Sequence, residues 1–386
     1  MCCQPVTALA QEPPELPSTA TEPQGFVPEP DLITRAALFA DRHFGKGDLT
    51  NGIYVEYGNM IPGAGWGSAG PGYRHWYAKD SVYVDAAAAI SVNNYRLGAA
   101  KIELPKFLKS RLALGAQARW QDFGRVDYFG VGSDTTAENL SVYSVESTQL
   151  TAYATLRPFR WMDIGGQIGW TNPDVAYVEG PFGTSEKRTF VPSEVSLTID
   201  TRDFPGHPTS GVILRGVGAR YDDRTTGLNT FNRYEGEAAG FLPIGGGRVV
   251  LALHGWMVHS QTTDGHSVPF YLQPSMGGVT TLRSYTDYRF RDDNMLVANA
   301  ELRFKLMTHI DLAVFADAGN VAAQWRDLDL AKRSYGGGLR IHTRRETFAM
   351  VDMATGDEGW KVQFRLKDPL GFGRINRRAL LVPFVP

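Results

Sequence analysis

Three places in the sequence combine residue types that could do chemistry. Gly65-Trp66-Gly67-Ser68-Ala69-Gly70 has the glycine spacing of a dinucleotide-binding turn, where backbone N–H groups close on a pyrophosphate. Such a turn must leave a buried strand and open a helix. The next residues are instead PGYRHWY, a proline and an alternating aromatic run, so these glycines read as bends and close contacts between strands. HSQTTDGHS supplies nucleophile, base and ligand types in His259, Ser260, Asp264, His266 and Ser267. All five fall in one predicted loop, no acid stands at ligand spacing, and neither GxSxG nor HExxH occurs in the chain, which leaves a solvated loop. The third place is TTLRSYTDYRFRDDN, residues 280–294, where three arginines and two tyrosines are set among acids just after Gly277 and Gly278. A guanidinium is built to grip carboxylates bidentately, so the chemistry of this loop depends on which acids it can reach.

The flanking segments answer that through their phase. In VANAELRFKL, Ala298, Ala300, Leu302, Phe304 and Leu306 share one face, and Asn299, Glu301, Arg303 and Lys305 the other. In HIDLAVFADAGN, Ile310, Leu312, Val314 and Ala316 oppose Asp311, Phe315 and Asp317. Glu301 and Asp317 therefore point into one interior, and Arg283, on the loop just before, can fold between them. Ordering a loop costs about 1–2 kcal/mol per residue, and a charge-assisted hydrogen bond returns about 1.5–3 kcal/mol. Arg283 alone cannot hold the loop, so Tyr285, Tyr288 and Arg289 must add packing and bonds along the wall.

The elements that place these residues are strands. Period-two alternation runs from about Asn51 to Lys367 and divides into sixteen segments, near 51–59, 64–76, 80–92, 94–104, 110–122, 141–157, 161–171, 188–201, 209–221, 231–243, 247–258, 293–306, 309–317, 335–342, 346–353 and 360–367. Connections after even-numbered segments are short, and the long ones all come after odd-numbered segments. That parity, with an even strand count, is the signature of a transmembrane antiparallel β-barrel with short turns on one side and long loops on the other; a soluble sandwich has no reason to obey it. No run approaches the roughly 18 apolar residues of a spanning helix, so a closed barrel is the route through a bilayer. A net charge of −2 and a pI near 6.5 supply no basic field for nucleic acid. Ahead of the barrel, Ala8-Leu9-Ala10 fits a signal-peptidase site, making residues 1–10 the remnant of a signal peptide, and cleavage there removes both cysteines, Cys2 and Cys3. Residues 11–50, opening with the Pro- and Glu-rich QEPPELPSTATEPQGFVPEP, are expected to be a disordered leader, and residues 368–386 a C-terminal extension.

In these residues the chain resembles the barrel of the Omp85 superfamily, the bacterial surface antigen group. Leu282-Arg283-Ser284-Tyr285 stands for the family's sixth-loop motif, Glu301 for its strand acid, and Phe315-Ala316-Asp317-Ala318-Gly319 for its FxDxG; Asp200-Thr201-Arg202-Asp203-Phe204-Pro205 with Pro208-Thr209-Ser210-Gly211 looks like its turn into the ninth strand. Ser284 stands where the family prefers Gly. About 40 residues separate the cleavage site from the first strand, too few for one POTRA module. The resemblance implies a bacterial outer-membrane barrel whose sixth loop is locked in the lumen by Arg283 against Glu301 and Asp317. It implies insertion or translocation of protein, or of lipid, at a seam between the first strand, with Ile53, Val55 and Tyr57, and the last, with Val362, Phe364 and Leu366. The partners implied are outer-membrane lipid and a client or periplasmic protein. No catalytic role, metal or small-molecule cofactor is expected. The alternative is a passive pore, or a membrane anchor for a partner.

Overall fold

The computed structural model describes residues 25–44, 51–58, 60–344 and 346–366. Sixteen long strands run in chain order: β1 (Gly52–Gly58), β2 (Ser68–Tyr77), β3 (Val82–Ser91), β4 (Arg96–Lys106), β5 (Leu112–Tyr128), β6 (Ser141–Phe159), β7 (Met162–Thr171), β8 (Phe190–Asp200), β9 (Gly211–Asp223), β10 (Phe231–Ile244), β11 (Val249–Gln261), β12 (Asn294–Met307), β13 (Ile310–Ala322), β14 (Lys332–His342), β15 (Thr347–Gly356) and β16 (Gly359–Leu366). Each ladders antiparallel to the next, from β1–β2 through to β15–β16. Two shorter strands, Asp174–Glu179 and Glu186–Lys187, extend the sheet beyond β6 and β7.

The sheet is inside out relative to a water-soluble protein. On β8 Ser196 and Thr198 are buried while Val195 and Leu197 are exposed. On β11 His254 is buried while Leu253 and Met257 are exposed, and on β12 Asn299, Glu301 and Arg303 are among the buried residues. Apolar side chains outward and polar ones inward, on strands whose backbone groups are satisfied by their neighbours, is the arrangement that hydrocarbon demands. This is an all-β transmembrane antiparallel barrel, as the alternation predicts.

Connections 78–81, 160–161, 245–248, 308–309 and 343–346 lie on one rim, and 129–140, 172–189, 262–293 and 323–331 on the other. Several strands run further toward the long-loop rim than the alternation indicates: β5 to Tyr128, β11 to Gln261 and β13 to Ala322. The apolar outward face stops where lipid stops, but the backbone ladder continues past it. For that reason His259 and Ser260 lie on β11 and not in a loop.

The leader departs from expectation. A helix, α1 (Asp31–Phe44), begins directly after Pro30, where the Pro- and Glu-rich composition ends and a helical period begins. The chain before it is fastened to the rim: Phe26 and Val27 N–H donate to Lys305 O at 3.0 Å and Leu306 O at 2.9 Å. The Glu29 carboxylate accepts from His309 N–H at 2.7 Å and from Thr34 Oγ1 at 2.6 Å. Burial alone would raise Glu29, but these bonds and the His309 ring hold its carboxyl below the usual carboxylate range. The signal-peptide remnant, residues 11–24 and the extension 368–386 lie outside the described residues.

The outward face makes a direct prediction. Leu253→Arg places a charge on the lipid face and is expected to cost about 2–4 kcal/mol if the site is near the bilayer midplane, read as a shifted urea midpoint for the barrel in vesicles. An unchanged midpoint would show that this face does not meet lipid.

Candidate functional site

The 262–293 loop, between β11 and β12, is the longest of the connections and turns into the lumen. Its base is closed by a two-residue ladder, Ser275–Met276 against Phe290–Arg291. Gly277 and Gly278 then take φ +125° and +80°, and a Cβ on them would meet Thr286 O at 2.1 Å and Asp287 Oδ1 at 1.7 Å, so only glycine permits this fold-back. Leu282, Tyr285 and Phe290 pack with Met276, Met295, Val297 and Val321 into a buried cluster between loop and wall.

At the tip, Arg283 is 2% exposed. Its Nε donates to Asp317 Oδ2 at 3.0 Å, Nη2 to Asp317 Oδ1 at 2.7 Å and Nη1 to Glu301 Oε2 at 2.7 Å, while its own backbone N–H donates to Asp317 Oδ2 at 3.2 Å. The guanidinium lies 3.3 Å over the Phe315 ring. Burial works against this charge, yet Asp317 and Glu301 hold its pKa above the ordinary arginine value. Gly319 completes the motif by absence: a Cβ there would meet Leu296 O at 2.6 Å and Met276 Sδ at 2.7 Å.

The network is larger than the sequence indicates. Glu301 also accepts from Arg303 Nε at 2.9 Å and Arg340 Nη2 at 2.8 Å, and Arg340 reaches on to Asp352, which stands 3.5 Å from Arg283 Nη1. Asn299 Nδ2 donates to Asp317 Oδ1 at 2.9 Å. Arg283, Arg303 and Arg340 thus balance Glu301, Asp317 and Asp352, all buried. Each of the added residues lies on the inward phase of its strand, and that phase is the only trace of them in the sequence.

The other loop residues are anchors. Tyr285 OH donates to Asp357 at 3.0 Å, and Tyr288, at φ +60°, donates to Pro62 O at 2.7 Å. Arg289 grips Thr135 and Glu358, and Arg291 donates to Tyr143 OH and Phe270 O. Ser284 has a niche of its own. Its N–H donates to Ser334 Oγ at 3.0 Å, its hydroxyl pairs with the same oxygen at 2.6 Å, and Gly356 leaves the space, since a Cβ there would stand 2.3 Å from Ser284 Oγ.

The seam residues sit at the two sheet edges. Among the described residues β1 pairs with β2 alone and β16 with β15 alone. Ile53 and Val55 on β1 and Val362 and Phe364 on β16 are exposed, Ile53 at 86% and Val362 at 71%. Tyr57 pairs through its backbone with Ala69, and its side chain lies outside the described part. Phe364 meets Trp66 edge-on at 5.8 Å, and Leu366 is the nearest neighbour a Cβ on Gly67 would find, at 3.4 Å. The end of β16 therefore sits beside the loop that leaves β1. From inside, Gln363 Nε2 donates to Arg283 O at 2.7 Å and Lys361 Nζ bonds Thr286 Oγ1.

A sixteen-stranded barrel with polar lumen, apolar belt and an arginine loop clamped inside defines a class of outer-membrane protein. The sequence profile described as the Omp85 superfamily domain matches residues 82–344, and the chain belongs to that superfamily. Among solved structures it is similar to BamA from Haemophilus ducreyi lacking POTRA domains 1–3, at TM-score 0.64 and 15% identity over 83% of this chain and 70% of that one. It is also similar to CdiB from Acinetobacter baumannii (TM-score 0.52, 11% identity, 82% of this chain and 59% of that one) and to CdiB from Escherichia coli (TM-score 0.52, 14%, 82% and 62%). A search of curated protein sequences gave no match.

Removing one member of a buried ion network costs about 3–5 kcal/mol. Arg283→Ala should do so chiefly through Asp317, because Glu301 keeps Arg303 and Arg340. Adding Asp317→Asn to Arg283→Ala should therefore recover part of the loss in heat-modifiability on gels, whereas Glu301→Gln in the same background should recover none; equal recovery would refute this assignment of partners. Gly356→Ala, which forces a methyl against Ser284 Oγ and Arg333 O, should lower the same transition, and Ser284→Gly should restore only the part owed to the hydroxyl.

Proposed function

We propose that this barrel inserts or translocates protein at the outer membrane, acting at the seam where β1 and β16 meet. The observation that carries the reading is the pair of short sheet edges. Among the described residues, the seven residues of β1 and the eight of β16 ladder on one side each and carry exposed apolar side chains, beside the ten-residue β2 and β15. A polypeptide edge entering there gains backbone hydrogen bonds that hydrocarbon cannot supply, which is β-augmentation within a bilayer.

The locked loop supports this reading over a passive pore. Arg283, Tyr285 and Tyr288 fill the lumen with buried contacts, and the same loop holds β16 through Gln363 and Lys361. No role in this reading is catalytic: the charged groups that converge in the lumen are spent on one another. BamA and CdiB, the structural neighbours, are similar to this chain in fold.

Cross-linking the seam tests the proposal. In a Cys2→Ser, Cys3→Ser background, Trp66→Cys and Phe364→Cys are joined by a short bismaleimide, and the barrel is reconstituted in liposomes with an unfolded outer-membrane client. The free form is expected to accelerate client folding over empty liposomes, and the cross-linked form to fall back to that background. Acceleration that survives the cross-link would move the activity away from the seam. Steady conductance without acceleration would favour the pore.

A further inference from the structure

Arg119, on the inward phase of β5, stands apart from the charge network of Arg283. It is 6% exposed. No carboxylate of the described residues is close enough to offset its charge, and its Nε has no hydrogen-bond partner. Arg283, equally deep, is met by Glu301, Asp317 and Asp352. Acids on the inner face of strands near β5 are engaged elsewhere. Glu103 accepts from Tyr153 OH at 2.7 Å, and Glu194 accepts from Gln167 Nε2 at 3.0 Å and lies 3.6 Å from Arg215. A buried cation without a counter-charge is strongly destabilising, so its presence here points to negative charge brought from outside the chain.

The side chains around Arg119 are polar and also underused. Gln149 stands directly across on β6, and Gln121 and Ser147 form the next inward pair toward the long loops. All three are buried, and Gln149 Nε2, Ser147 Oγ and Gln121 Oε1 find no partner among the described residues. Two of these atoms are hydrogen-bond donors beside a cation, which is the lining an anion requires.

On the other side of Arg119 the wall is low. Arg119 pairs through its backbone with Ala99 on β4, and Ala99 with Ala87 on β3; Gly72 on β2 follows, covered by the Tyr54 ring. Strands lie about 4.8 Å apart, so the two alanines leave room beside the guanidinium for a group of a few atoms. Both alanines are partly exposed, which opens that room to the lumen. Toward the long loops it ends at Phe123 and Val145, which pack with Tyr95, Tyr143 and Tyr288 in a buried apolar cluster. Toward the short turns Gln117 is only half-buried, so the approach is from that rim.

We propose that Arg119 binds one small oxyanion, a phosphate or a carboxylate, entering the lumen from the short-turn rim, with the Gln149 amide as second donor. The planar guanidinium offers parallel N–H groups to two oxygens of such an anion, a fit that both chemistries share. The site stands on the β3–β6 wall and is independent of the seam and of the loop clamp.

The test uses the full chain folded in detergent and dialysed to equilibrium against ³²P-labelled phosphate in chloride buffer of fixed ionic strength. One phosphate per chain is expected, displaced by sulfate and acetate well before chloride; which of the two displaces first tells a phosphate-like ligand from a carboxylate. Arg119→Gln should weaken uptake at least about 10-fold, and Arg119→Lys, which keeps the charge but loses the fork, by less. Arg220→Gln, which removes an exposed arginine paired with Asp222, should leave uptake unchanged. The urea midpoint supplies a readout that a purely structural role would not move. Without phosphate, Arg119→Gln should unfold at the same or a higher urea concentration than the parent, because an unpaired charge has gone. Saturating phosphate should then raise the parent's midpoint by more than the variant's, whose own rise measures the general salt effect. Should Arg119→Gln fail to fold, Gln149→Leu decides, with a several-fold loss of uptake expected. No uptake by the parent, uptake unchanged in the variant that folds, or an Arg119→Gln midpoint lowered equally with and without phosphate would overturn the proposal.

Discussion

Everything in the lumen depends on charge balance at Arg283. A guanidinium taken out of water carries a desolvation cost that only close, well-directed carboxylates offset. Here Asp317 supplies a bidentate grip and Glu301 a third bond, while Phe315 covers the face that no hydrogen bond can use. Those acids would in turn be overcharged by one arginine too few. Arg303 and Arg340 complete Glu301, and Asp352 completes Arg340. The loop is thus held less by its own sequence than by inward residues of four consecutive strands, β12 to β15.

Much of this is legible in the chain. Alternation sets the strand count and the parity of the loops, because an apolar outer face and a polar inner face recur on every strand that crosses the hydrocarbon. Phase places Glu301 and Asp317 inward, and the loop before them holds the arginine to match. Alternation cannot give register across non-neighbouring strands. Arg340 and Asp352 look like any other lumen residues, and nothing in their spacing ties them to position 283. Helix α1 is masked in the sequence by the proline-rich stretch that leads into it, although DLITRAALFADRHF carries an acid in the first turn and a helical period once Pro30 is passed.

Ser284 shows how a motif can change while its geometry survives. A hydroxymethyl group at this tip needs room and a partner. Gly356 on β15 provides the room and Ser334 on β14 the partner. The three positions lie far apart in the chain, so the substitution reads as an irregularity in sequence and as a fitted contact in space.

The partners of Arg283 also impose an order of events. Glu301 comes after the loop by fewer than twenty positions, but Asp317 belongs to β13, Arg340 to β14 and Asp352 to β15. A chain that has built its wall only as far as β12 can offer the arginine a single acid, and the loop has little reason to stay inside. The full set exists only with β15 in place, and Arg283 and Thr286 also meet β16 through Gln363 and Lys361. The clamp therefore ties the loop to the closing strands of the barrel: its full set of partners spans β12 to β15, and the same loop carries the contacts to β16.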